Sequence, residues 1–147
     1  MVRLLSTPLS LALVMLVAAC SAHNPARPSD LVSAEALARL LQHAGGEVMV
    51  AEQMPREAFP FFSVSAQRLI VNDESVHVFV YADQAAAQAD AALVAPSGTP
   101  IGTTQVSWVA PPRFYTRGQI IALYVGRKSI VIQVLETMLG PPFAGVR

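Results

Sequence analysis

The chain of 147 residues carries ten lysines and arginines against ten aspartates and glutamates, is 53% apolar, and has one cysteine. A balanced charge leaves no basic surplus to neutralise phosphates, so nucleic acid is not an expected partner. One cysteine excludes an internal disulfide and a self-contained zinc ribbon, the length suits a single domain, and no motif calls for a cofactor or a metal.

Arg3 is the only charged residue before Arg27. The dense apolar run is Leu9 to Ala19, interrupted only by Ser10. As a helix it spans about 16 Å, against a hydrocarbon core of about 30 Å. A positive end, a short apolar middle and small residues at the exit predict a removable secretory signal over residues 1–19. The exit reads Leu16-Val17-Ala18-Ala19-Cys20, which resembles the lipobox of bacterial lipoproteins. The resemblance implies a diacylglyceryl thioether on Cys20, cleavage just before it, and acylation of the new amino group by a palmitate-type chain. It places the mature protein at the cell membrane or outer membrane, held by lipid and facing the periplasm or cell exterior. Ser21, where an aspartate would favour retention in an inner membrane, favours the outer one. The residue types suit the chemistry: small side chains let an extended backbone enter a protease groove, and a thiol is a soft nucleophile. The alternatives are a plain secretory signal followed by a buried free cysteine, or a short apolar helix that stays attached.

Residues 20–29 form the expected lipidated tether, with two prolines and no large apolar side chain. His23 within it is expected to be solvated. A single domain is expected over residues 30–147. Its first helix starts near Asp30 or Ser33, buries Leu37, Leu40, Leu41 and Ala44, and stops at Gly45-Gly46. Glu47 to Glu52 alternates as a strand. Phe59, Phe61 and Phe62 follow a loop bracketed by Pro55 and Pro60. Arg68 to Tyr81 reads as a hairpin turning at Asn72-Asp73, with Val76, Val78 and Val80 on one face and His77, Phe79 and Tyr81 on the other. Asp83 to Ala95 is an alanine-rich helix capped by Asp83 and stopped by Pro96. Strands are expected over Gln105–Ala110 and Gln119–Val125, with Pro111-Pro112-Arg113 in the loop between them. A last helix begins near Ser129, buries Val131, Val134, Leu135 and Met138, and ends at Gly140.

Hairpins followed by helices predict an α+β fold. The expected architecture is a two-layer sandwich, an antiparallel sheet of about five strands with helices packed mainly on one face, and a permuted ferredoxin-like arrangement is one candidate topology.

Several strings resemble a set of small bacterial lipoproteins of unassigned activity: Ala44-Gly45-Gly46, Phe61-Phe62-Ser63-Val64, Val71-Asn72 with Val76 and Val78, Ile101-Gly102-Thr103-Thr104, Trp108-Val109-Ala110-Pro111-Pro112 with Phe114-Tyr115, Leu123-Tyr124-Val125-Gly126, and Leu139-Gly140-Pro141 with Phe143-Ala144-Gly145. The resemblance covers roughly residues 37–145, most of the expected mature chain. It implies the class and the location, and it transfers no functional site. Asp73 stands where a glycine is expected in the hairpin turn.

Chemistry has few carriers. Nucleophilic catalysis needs a base beside its nucleophile, and the candidates are His43 and His77. His43 suits the negative end of the first helix, and His77 lies within a strand. Asp73 and Glu74 are adjacent carboxylates in a turn, where charge is expected in any case. The best binding candidate is Trp108, Arg113 and Tyr115, set with Phe114 around a stiff Pro-Pro corner and suited to sugars, peptides or a protein partner, the last two or another envelope component being the expected partner. The competing reading turns Trp108 and Phe114 inward from strand ends. The tail Pro141-Pro142-Phe143 is expected to tuck onto the core. The expected function is a non-enzymatic, membrane-anchored binding or envelope-associated module. The alternative is a small periplasmic enzyme or enzyme accessory with His77 or the carboxylates in a cleft.

Overall fold

The computed structural model describes residues 31–146; the expected leader, Cys20 and the tether with His23 lie outside the described residues. Leu31 is buried, and Ser33 caps helix α1 (Ala34–His43) by accepting a 3.1 Å hydrogen bond from the Ala36 N–H. Leu37, Ala38 and Leu41 form its buried stripe. Gly45, at φ +92°, ends it at low cost, because a side chain is strained in that conformation. Strand β1 (Val48–Gln53) leads through a short 3-10 turn, Arg56–Ala58, to the hairpin of β2 (Ala66–Val71) and β3 (Glu74–Val80). Both turn residues, Asn72 and Asp73, have positive φ, at 48° and 66°. This is the geometry of a type I′ turn, which matches the twist of the strands. Asp73 therefore adopts the conformation expected of the missing glycine. Asp83 caps α2 (Gln84–Ala91) through a 2.8 Å bond from the Ala86 N–H. Strands β4 (Pro112–Arg117) and β5 (Ile120–Val125), helix α3 (Ser129–Leu139) and the two-residue β6 (Ala144–Gly145) complete the domain.

The sheet runs β1-β2-β3-β5-β4-β6 with every neighbouring pair antiparallel. The fold is the expected α+β sandwich, with a sixth, very short strand. Period-two alternation sends Leu69, Val71, Val76, Val78, Tyr115, Ile120, Ala122 and Tyr124 to one face, where α1 and α3 cover them. The other face carries Ala66, Phe79, Phe114, Ile121 and Leu123, and it is covered too. There Ala87 of α2 packs with Phe62, Val94 and Ile101, and Phe59, Phe61, Trp108 and Phe143 lie against the same cluster.

Topology explains why α2 sits opposite the other two helices. The segment β3-α2-β4 leaves β3, crosses over, and returns parallel to it with β5 between. The segment β5-α3-β6 makes the same two-place step in the same direction, with β4 between. Because β3 and β5 run in opposite directions, crossovers of one hand place their helices on opposite faces. In a ferredoxin-like sheet both helices share a face, so this arrangement differs from it.

One expected strand is not formed. Residues Gln105–Ala110 make no sheet ladder, and the strand is Pro112–Arg117, part of the expected loop. The alternation of Val106, Trp108 and Ala110 imitates a strand, but this segment is held by side chains. Thr99 Oγ1 bonds both the Val106 N–H (3.3 Å) and its carbonyl (3.2 Å), and the Trp108 indole N–H donates to the Gly98 carbonyl at 3.0 Å. Pro112 is tolerated because it opens its strand, the position where a missing N–H costs least.

Close backbone approach fixes the C-terminal edge. Gly145 has φ +89°, and a Cβ built there would collide with the Pro112 carbonyl oxygen. We predict that Gly145→Ala lowers stability by about 2 kcal/mol or more, measured by denaturant unfolding. An unchanged midpoint would mean that the edge pairing contributes nothing.

Candidate functional site

The structure does not bring Trp108, Arg113 and Tyr115 together. Successive residues of β4 face opposite ways, so Arg113 and Tyr115 lie under α3 while Phe114 points to the far side with Trp108. The Trp108 ring stands 5.8 Å from Phe114 and 6.3 Å from Phe61, both edge-on. Trp108 and Phe114 thus follow the inward reading. The Arg113 Nη1 donates to the Gly126 carbonyl at 2.9 Å, tying β4 to the corner before α3. Tyr115 is fully buried and its hydroxyl has no partner. Burial, followed by the charge of Glu136, pushes that hydroxyl well above the usual phenol range. The exposed apolar residue of this segment is Val109, at 99%. The tail tucks onto the core as expected: Phe143 donates its N–H to the Phe114 carbonyl (2.8 Å), with ring centres 6.1 Å apart.

His77 occupies a different niche, on the α2 side of β3. Arg68 stands directly across from it on β2, and the Phe59 ring lies 4.6 Å away, tilted against the imidazole. The His77 Nδ1 and the Arg68 Nε are buried without hydrogen-bond partners. The other end of Arg68 grips Glu52, with Nη2 at 2.7 and 2.8 Å from its two carboxylate oxygens. Burial, then the neighbouring guanidinium, lowers the His77 pKa from its ordinary value. A general base is usually oriented and made more basic by a carboxylate. Here a cation takes that place and the nearby carboxylate is already paired. Asp73 and Glu74 sit elsewhere, at the tip of the hairpin, where Lys128 approaches Asp73 at 4.0 Å and Glu74 approaches the Tyr124 hydroxyl at 3.4 Å. His43 is exposed in the last turn of α1.

Asp90 carries a role that helical periodicity alone does not reveal. Its Oδ2 accepts from the Ser63 N–H (2.6 Å), the Ser63 hydroxyl (2.7 Å) and the Tyr81 hydroxyl (2.9 Å). These bonds fasten α2 and the phenylalanine loop to the end of β3. The only hint in the sequence is an acidic residue inside an alanine-rich helix, a pattern that by default reads as a solvated face.

A concavity of about 480 Å3 opens beside the start of α1, lined by Ser33, Glu35, Gln53, Arg56, Ser65 and Gln67 with Val78 and Val80. Its groups are largely occupied already: the Arg56 Nε donates to the Phe62 carbonyl (3.1 Å), and Gln67 donates to the Ala51 carbonyl. Among the described residues, no three side chains of the His, Cys, Asp and Glu types gather at metal-binding distance, and no helix is long and apolar enough to cross a membrane. Comparison with family models, curated proteins and solved structures gives no match.

The His77 niche has a pH consequence. The folded state disfavours the charged imidazole, so the folded pKa lies below the unfolded value of about 6.5. The neutral niche therefore contributes stability fully above that value and loses it as the pH falls below it. We predict that the melting temperature falls between pH 7.5 and 5, and that His77→Phe shows a smaller fall over the same interval. Equal falls in both proteins would remove His77 from the acid response.

Proposed function

We propose that the protein is a lipoprotein whose α+β domain is moored to an extracytoplasmic membrane surface through Cys20, where it acts as a non-enzymatic binding or envelope-associated module. One observation carries this reading: the only cysteine of the chain ends the string Leu16-Val17-Ala18-Ala19-Cys20 behind a short apolar run. The start of the described domain fits a tether. Leu31 is buried and leads straight into α1, leaving residues 21–30 between lipid and domain. Fully extended, they reach at most about 35 Å, so the domain stays close to the lipid surface. A single myristoyl chain holds a protein only marginally, at about 0.8 kcal/mol per buried methylene, and two or more chains make a stable anchor.

The binding role rests on what the domain leaves outside. The aromatics of the Trp108–Tyr115 segment are occupied by packing, and the histidine faces an arginine. Exposed apolar side chains remain at Met49, Val50 and Val109, suited to a protein or peptide partner rather than to the binding of a substrate in a cleft. The expected location is the cell membrane or outer membrane, with the domain facing the periplasm or the cell exterior.

Substitution of the cysteine tests the anchor. In a bacterial host fed an alkyne fatty acid, the parent chain should take up label and sediment with membranes. Cys20→Ser should lose the label and retain the leader. Unchanged labelling or processing of the variant would overturn the reading.

A further inference from the structure

We propose that β1 is a self-association edge, through which two copies of the chain join their sheets antiparallel with Met49 of one copy opposite Met49 of the other. β1 ends the sheet on one side, and the opposite end is the two-residue β6. The direction of each backbone group along β1 follows from its register with β2. The Asn72 N–H donates to the Glu47 carbonyl at 2.7 Å, and Val48 pairs with Val71. In an antiparallel ladder the bonded residues alternate, so Glu47 and Met49 turn their backbone groups toward β2 while Val48 and Val50 turn theirs outward. The Gln42 side chain marks the outward side, since its amide donates to the Val48 carbonyl at 2.9 Å.

Of the usual protections of a sheet edge, β1 has the end of α1 beside it and little else. Charges, prolines and bulges blunt natural sheet edges. Residues 48–51 hold no charge and no proline, and Met49 and Val50 are 61% and 41% exposed. The register irregularity falls only after Val50, and Gln42 covers a single carbonyl.

The same parity allows a second copy to pair with this edge in a symmetric register, and the absence of opposed like charges in that register favours it as the occupant. If Val48 of one copy lies opposite Val50 of the other, both outward-facing residues of each strand meet an outward-facing residue, giving four backbone hydrogen bonds. Met49 then faces its own counterpart across the two-fold axis. Glu47 faces Ala51, so no like charges are opposed, and Glu52 remains held by Arg68 beyond the paired stretch. The Gln42 amide occupies the outward side of the Val48 carbonyl, where the second copy's Val50 N–H would donate, so Gln42 works as a latch on the edge.

The register yields a specific test, independent of the state of Cys20. Residues opposite each other at a non-bonded position have Cα atoms about 4.5 Å apart, within the range a disulfide spans. In the purified full chain, Met49→Cys should form a covalent dimer on mild oxidation, above the background of the parent with Cys20 alone. Val109→Cys, exposed but away from the edge, should stay at background. Val50→Pro added to Met49→Cys removes one outward N–H and leaves the β2 ladder intact. Because both copies carry the proline, the pair loses two of its four hydrogen bonds, and the yield should fall by at least about tenfold. Gln42→Ala should raise the yield and the dimer fraction in sedimentation. Equal cross-linking at positions 49 and 109, a yield indifferent to Gln42→Ala, or a parent that sediments as a monomer while capturing added strand peptides would overturn the proposal.

Discussion

Five consecutive side chains of β5, Ile120 to Tyr124, are all buried. Ile120, Ala122 and Tyr124 point to one face of the sheet, and Ile121 and Leu123 to the other. A strand this apolar on both sides cannot sit in a sheet with a solvated face, because each large side chain left in water would forfeit roughly 1.5–3 kcal/mol. The domain must therefore build two covers from three short helices. Crossovers of one hand deliver α3 to the first face and α2 to the second, and α1 reinforces the first. The remaining area above Phe79, Phe114 and Leu123 is closed by loops.

Those loops explain where the aromatic residues go. Phe59, Phe61, Phe62 and Trp108 form an edge-to-face network over Phe79 and Phe114, which Phe143 joins at a tilt, with ring centres between 4.7 and 6.3 Å apart. α2 is rich in alanine and brings little bulk, and the phenylalanine and tryptophan rings supply what it lacks. Asp90 and the Thr99 hydroxyl then satisfy backbone groups that the loops would otherwise leave unpaired. Of the residues that look like a ligand platform in the sequence, Trp108 is part of the roof of the second core, whereas Tyr115 belongs to the first.

Local rules made much of this legible. Ser33 and Asp83 cap their helices, Gly45 and Gly140 end theirs, and β3 divides into the two faces that its alternation predicts. The exchange of strand and loop around Pro112 was not legible. Gln105–Ala110 has a strand-like pattern, but its Val106 backbone groups pair with the Thr99 side chain and its Trp108 side chain donates to the Gly98 carbonyl. Proline suggests a loop, yet at the first position of β4 it leaves no ladder bond broken. The placement of α2 also depends on which strand slips between β3 and β4, a pairing that no local pattern encodes. For the candidate site, the sequence brought Trp108, Arg113 and Tyr115 close along the chain, but strand alternation sent them to two faces. The pairing of Arg68 with His77 and Glu52 is a cross-strand contact, visible only once the register is fixed.

A globule with both faces of its sheet closed has its sheet edges left for contact with other molecules. The proposed attachment at Cys20 would set where and near what the exposed edge operates. The intact mass of the native protein from its own membranes tests it most directly. A lipidated protein would give a chain beginning at Cys20 with the added mass of a diacylglyceryl group, with or without one further acyl chain. A mass equal to the unmodified sequence, with residues 1–19 still present or removed without lipid, would contradict the proposed attachment.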